Sequence, residues 1–174
     1  ERFFQTGRYE RTGVEFTISP SMDIEVASNF ERYLYFHLGQ KSKELSSLMK
    51  DFQDNHLLVL PLKEGETVDK TFIAGSGSTN DTLDVIKRYW NEQNYLLDPH
   101  TAVAVYVAEN VDSESHTVVL STAHPAKFPQ AIIDAVGEDI ASHPILETLK
   151  GLESQFEVIE NDKNKVKDYV ISKL

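Results

Sequence analysis

From Tyr95 onward, apolar runs alternate with amphipathic stretches, and this alternation most narrows the architectures open to the chain. Tyr95-Leu96-Leu97 reads as a strand. Asp98-Pro99 then supplies a side-chain acceptor at a helix N-cap and a proline at the first helical position. The helix so opened runs to about residue 109. Residues 117 to 120 read as the next strand and 130 to 136 as a helix. A short strand at 156 to 159 lies between helices at 145 to 154 and 163 to 173. Strands separated by helices argue for βαβ units and a largely parallel sheet, so the expected fold class is α/β.

The upstream half is less regular. Residues 14 to 18 read as a strand closed by Ser19-Pro20-Ser21. Ser28 and Glu31 have the S-x-x-E spacing of a capping box, ahead of Phe30, Tyr33, Leu34 and Leu38 at helical spacing. Gly39 is the expected stop. Leu45, Leu48, Met49 and Phe52 mark a second amphipathic helix, and 57 to 62 an apolar strand or packed loop. After Gly75-Ser76-Gly77-Ser78, residues 80 to 90 resume a helix. There is no internal repeat or linker. The expected organisation is one α/β unit over 1 to 174, with 40 to 90 as a helical insertion.

Composition removes several functions. Without cysteine, disulfides, thiolate metal sites and cysteine nucleophiles are excluded, and a reducing, cytoplasmic setting is expected. A formal charge of −11 argues against nucleic-acid or anionic-membrane partners, which offer an acidic surface no counterion release. No apolar run approaches the roughly 18 residues of a membrane helix. The histidines have no H-x-x-x-H pairing, so no zinc site is expected.

The chemistry concentrates after the apolar run Val118-Val119-Leu120, in Ser121-Thr122-Ala123-His124-Pro125-Ala126-Lys127-Phe128. Loops at the carboxyl ends of strands form the ligand crevice of open α/β sheets. Hydroxyls there can bond a ring nitrogen, and His124 or Lys127 can face an anion. An ordinary loop, with Thr122 bonding its own backbone, explains the segment about as well. Asp98-Pro99-His100-Thr101 is a helix start that favours anions, though a simple cap suffices. Asn29 and Arg32 offer amide and guanidinium donors, against a plain surface helix. Gly75 to Thr79 lacks the lysine of a Walker loop and reads as a loop.

The segments Ile18 to Ile24, Ser28-Asn29-Phe30-Glu31-Arg32, Leu97 to Val103 and Leu120 to Phe128 occur here in one order. Together they resemble the C-terminal portion of the long-chain threonine synthases of fungi and bacteria. The resemblance implies a pyridoxal-phosphate (PLP) enzyme of the tryptophan-synthase-β type, fold type II. It further implies conversion of O-phosphohomoserine and water to threonine and phosphate. By that likeness Thr122 hydrogen-bonds the pyridine nitrogen of the cofactor, and Ser121 lines the same pocket. His124, Lys127, Asn29, Arg32 and His100 become candidates for the substrate side. A neutral hydroxyl at the ring nitrogen would hold it protonated less well than an aspartate.

Two family features do not occur in the sequence: the Phe-Lys-Asp segment with the cofactor lysine, and the Gly-Asn-x-Gly-Asp phosphate loop. No Schiff-base lysine can be named, so no catalytic residue is assigned and the isolated chain is expected to be inactive. Its expected partner is the N-terminal part of the same enzyme. Exposed apolar surface and a sheet edge would favour self-association. A phospho-lyase that turns O-phosphohomoserine into a keto acid, or a non-catalytic interaction domain, are the alternatives.

Overall fold

Two apolar clusters organise the first 142 residues, and each is assembled from helices whose buried faces the sequence periodicity marks. The structure, a computed structural model, describes residues 1–112 and 115–174. The chain divides into two compact units, Glu1–Ser142 and His143–Leu174.

The first cluster is built by α1 (Arg2–Thr6), α2 (Phe30–His37), α3 (Ser42–Asn55) and a hairpin-like sheet. Phe3, Leu34, Leu45, Phe52 and Leu58 are its buried residues. Phe3 packs edge-on against Phe30 with ring centroids 4.6 Å apart, and Tyr9 stacks on Phe52 at 4.9 Å. Such pairs add to the burial of large aromatic surfaces. At the edge of this cluster, burial and then Asp69 push the Tyr33 hydroxyl up to about 12.

The second cluster joins α4 (Thr79–Gln93), α5 (Pro99–Glu109) and α6 (Pro129–Val136). Val85, Ile86, Leu97, Ala102, Val105, Ile132 and Ala135 fill it. Residues 40 to 90 therefore serve both clusters, α3 the first and α4 the second. Helix α4 begins with a full capping box, in which Ser78 and Asp81 exchange side-chain and backbone bonds. The Gly75–Ser78 break serves that helix start.

Several sequence expectations need correction. Among the described residues the sheet is two-stranded and antiparallel: β1 (Arg8–Glu10) pairs with β2 (Leu57–Val59), with Tyr9 opposite Leu58. Among the described residues no parallel βαβ sheet forms. Residues 14 to 18, 95 to 97, 117 to 120 and 156 to 159 form no ladder. Apolar patterning reports only which side chains seek burial, whereas a strand also needs a neighbour for its backbone groups. Residues 14 to 18 are held instead by side chains, with Asp23 accepting from the Thr17 amide and hydroxyl at 2.7 Å each.

The box expected at Ser28 and Glu31 is also absent. Asn29 is the N-cap of α2, and its helical dihedrals (φ −90°, ψ −5°) do not aim a side chain at the first-turn amides. In the second unit, α7 (Pro144–Leu149) stops short of residue 154 because Lys150 turns extended (φ −62°, ψ 128°). There α8 (Lys163–Ser172) is capped by Asp162, which accepts from the Asn164 amide at 2.8 Å and the Lys165 amide at 3.1 Å.

Candidate functional site

Asp98 is 1% exposed, and it organises the region where the sequence places its chemistry. As N-cap of α5, its Oδ1 accepts from the amides of His100 at 3.0 Å and Thr101 at 3.2 Å. Its Oδ2 accepts from the Thr101 hydroxyl in a very short contact. Anions are favoured at a helix N-terminus, where the first amides lack partners within the helix.

The loop after Leu120 is fastened to that helix start. The backbone amide of Thr122 donates to Thr101 Oγ1 at 3.1 Å. The Thr122 hydroxyl lies 3.2 Å from Thr101 Oγ1 and 3.4 Å from Asp98 Oδ1. Thr122 as a residue is exposed, while its hydroxyl is held from within by these contacts. The bland alternative, Thr122 bonding its own loop, is not what the structure shows; its partners lie on α5, 21 and 24 residues away in sequence.

Beside this junction is a cleft of about 380 Å³, lined among others by Asp98, Ser121, His124, Tyr95 and Ser142. Ser121 and His124 thus face the same space. His124 Nδ1 also accepts from the Ala126 amide at 3.2 Å, which shapes the 3₁₀ turn Pro125–Lys127. Lys127 ends that turn and is exposed.

His100 occupies different surroundings. Its ring packs on Phe128 with centroids 4.9 Å apart. Both of its ring nitrogens are buried without a hydrogen-bond partner. It lines a largely apolar cavity of about 470 Å³ with Met22, Val103, Val107 and Thr117. Asn29 and Arg32 lie exposed on α2, a helix of the other cluster. Sequence reasoning brought all seven residues into one site. The structure joins Ser121, Thr122 and His124 with α5, and it adds Thr101 and Asp98. The segment Asp98-Pro99-His100-Thr101 reads as a cap, and nothing in it marks the reach of its fourth residue to a loop 21 residues away.

The model of the family described as "Threonine synthase, C-terminal" matches residues 101–170, a span that contains Thr101 and the Thr122 loop. The chain is similar to the C-terminal part of threonine synthases over most of its length. A threonine synthase from Schizosaccharomyces pombe is 34% identical over 157 residues, covering 75% of this chain and 30% of its own length. One from Pseudomonas aeruginosa is 33% identical over 172 residues, 97% of this chain and 37% of its own length. The crystal structure of PLP-bound threonine synthase from Brucella melitensis is 35% identical, with a TM-score of 0.79 over 97% of this chain and 37% of that one. The chain therefore spans about a third of the length of the threonine synthases it matches.

Proposed function

We propose that this chain is the ring-nitrogen wall of a threonine synthase, an enzyme that turns O-phosphohomoserine and water into threonine and phosphate with pyridoxal 5′-phosphate in the cytoplasm. The observation that carries the reading is the Thr122 hydroxyl, which sits in an exposed residue yet is fixed through Thr101 to the buried start of α5. The residues present suit the ring end of the cofactor: a positioned hydroxyl for the pyridine nitrogen, with the adjacent Ser121 lining the cleft. When bound, the group supplies the electron sink that eases cleavage at the substrate's α-carbon.

The chain's own residues bind and orient. Thr122 holds the ring by one directional bond, and Ser121 flanks it. His124 and Lys127 are proposed to face the substrate. The loop is stiffened by the Thr101 bonds, so its hydroxyl loses little freedom when a ligand arrives. The finer architecture, a fold type II domain with parallel strands and an insertion at 40 to 90, is proposed for the complete enzyme.

In that setting Val118 and Leu120, 83% and 77% exposed on either side of half-buried Val119, are the outer face of a strand that other parts of the enzyme cover. The same surface makes self-association of the isolated chain the expected state. The isolated 174-residue chain is expected to form no threonine from O-phosphohomoserine, since it supplies neither the cofactor lysine segment nor the phosphate loop; product formation by the pure chain would overturn this.

The central test uses the full-length protein carrying this segment. Thr122→Val removes the hydroxyl at nearly constant volume. One hydrogen bond to a charged or strongly polar group is worth about 1.5 to 3 kcal/mol, so kcat/KM should fall by roughly tenfold to a hundredfold. The absorption spectrum of bound pyridoxal phosphate should shift as well. A variant with unchanged spectrum and unchanged kcat/KM would remove Thr122 from the site.

A further inference from the structure

His124 enters its loop in an extended conformation (φ −95°, ψ 135°) and is followed by Pro125, which has no amide hydrogen. The first amide of the turn in need of a partner is therefore that of Ala126. His124 Nδ1 accepts from it at 3.2 Å, and the His124 carbonyl accepts from the Lys127 amide at 3.0 Å. One residue thus closes the turn Pro125–Lys127 both by its ring and by its backbone. The Phe128 amide adds a bond to the Pro125 carbonyl at 2.8 Å, and α6 starts at the next residue, Pro129.

This use of the ring has a chemical consequence. A ring nitrogen that accepts from an amide carries no proton, so the neutral ring keeps its proton on Nε2. The Nδ1 lone pair is committed to the turn, and Nε2–H can only donate. In this arrangement the ring has no site left to take a proton from a substrate. His143 repeats the geometry elsewhere in the chain. It is extended, precedes Pro144, and its Nδ1 accepts from the Ile145 amide at 3.3 Å. A His-Pro pair that caps the following amide is therefore a local folding unit, which the loop after Leu120 also contains.

We propose that His124 is a positioning residue: its Nδ1 builds the turn that sets Lys127 toward the substrate, and the ring does not serve as a general base. The inference rests on the reading that Lys127 faces the substrate, and it gives the two residues different tasks. Lys127 supplies a positive charge to an anionic group of the substrate. His124 holds the segment that carries that charge, and toward the substrate its own ring can only donate, through Nε2–H.

The test uses the full-length protein carrying this segment. Asparagine Oδ1 and histidine Nδ1 stand the same number of bonds from Cα, so His124→Asn keeps an acceptor for the Ala126 amide. The longer His124→Gln reaches past that position and restores only a donor near the place of Nε2. In kcat/KM the Gln variant should fall below the Asn variant by roughly fivefold or more, the worth of one cap. In a Lys127→Met background the two should differ by less than about twofold, because the positioned residue is gone. A merely structural turn would give the same difference in both backgrounds. Nitrogen NMR of the histidine rings should show His124 unprotonated at Nδ1 and protonated at Nε2 at neutral pH.

A Gln variant as active as the Asn variant overturns the proposal, and so does a His124 ring with its proton on Nδ1. The same Asn–Gln difference with and without Lys127 overturns it as well. If Lys127→Met by itself leaves kcat/KM unchanged, the underlying reading of Lys127 fails, and the proposal falls with it.

Discussion

Gly7→Ala is expected to destabilise the Glu1–Ser142 unit by about 2 to 5 kcal/mol. Gly7 ends α1 at φ +70°, where an L side chain carries strain of about 1 to 2 kcal/mol. A Cβ built there would lie 2.1 Å from the carbonyl oxygen of Leu60. That oxygen is backbone, so it cannot swing aside as a side-chain tip would. The same strand is tied by the Leu60 amide to the Gly7 carbonyl at 2.8 Å, immediately beside the Arg8–Glu10 ladder. Relief of the clash must therefore disturb the sheet and the aromatic cluster beneath it. Gly39→Ala is the control: φ is +66° with nothing within 4 Å, so only the strain remains. Urea midpoints that are equal for the two variants would contradict the argument.

The second large effect is expected at Asp98. Asp98→Ala removes an N-cap worth about 1 to 2 kcal/mol and takes the carboxylate acceptor from the Thr101 hydroxyl, in a residue 3% exposed. Losing a buried hydrogen bond to a carboxylate costs about 1 to 3 kcal/mol, so the sum is about 2 to 5 kcal/mol. Asp98→Asn retains the capping oxygen and should lose much less. Thermal melts compare both with Ser78→Ala, which removes the cap of α4, where Ser78 is exposed and water can replace the lost bonds. If Asp98→Ala melts no lower than Ser78→Ala, the buried junction is not holding α5 and the Thr122 loop together.

Helices were legible where a periodic apolar face met a recognisable start. The stretch 42 to 54 became α3 (Ser42–Asn55), and Asp98-Pro99 opened α5 as read. Helix identity depends on bonds between residues four apart, which a short window of sequence contains. Strands were legible only as apolar pattern. Leu57 to Leu62 found a partner in Arg8 to Glu10, a segment whose own pattern carried no signal, while residues 117 to 120 found none. A ladder is an agreement between distant segments, and neither segment alone records it.

The site divides along the same line. The sequence by itself singled out the candidate side chains: Thr122 and Ser121 after an apolar run, His124 beside them, and a capped helix start at Asp98. It also carried the resemblance to threonine synthases, through four segments that occur in one order. Only the tertiary structure decided that Thr101 reaches across 21 residues to fasten Thr122, and that His100 belongs to a different cavity. Residue types fix what a group can donate or accept. The direction in which it does so is set by neighbours that folding, not chain order, brings into contact.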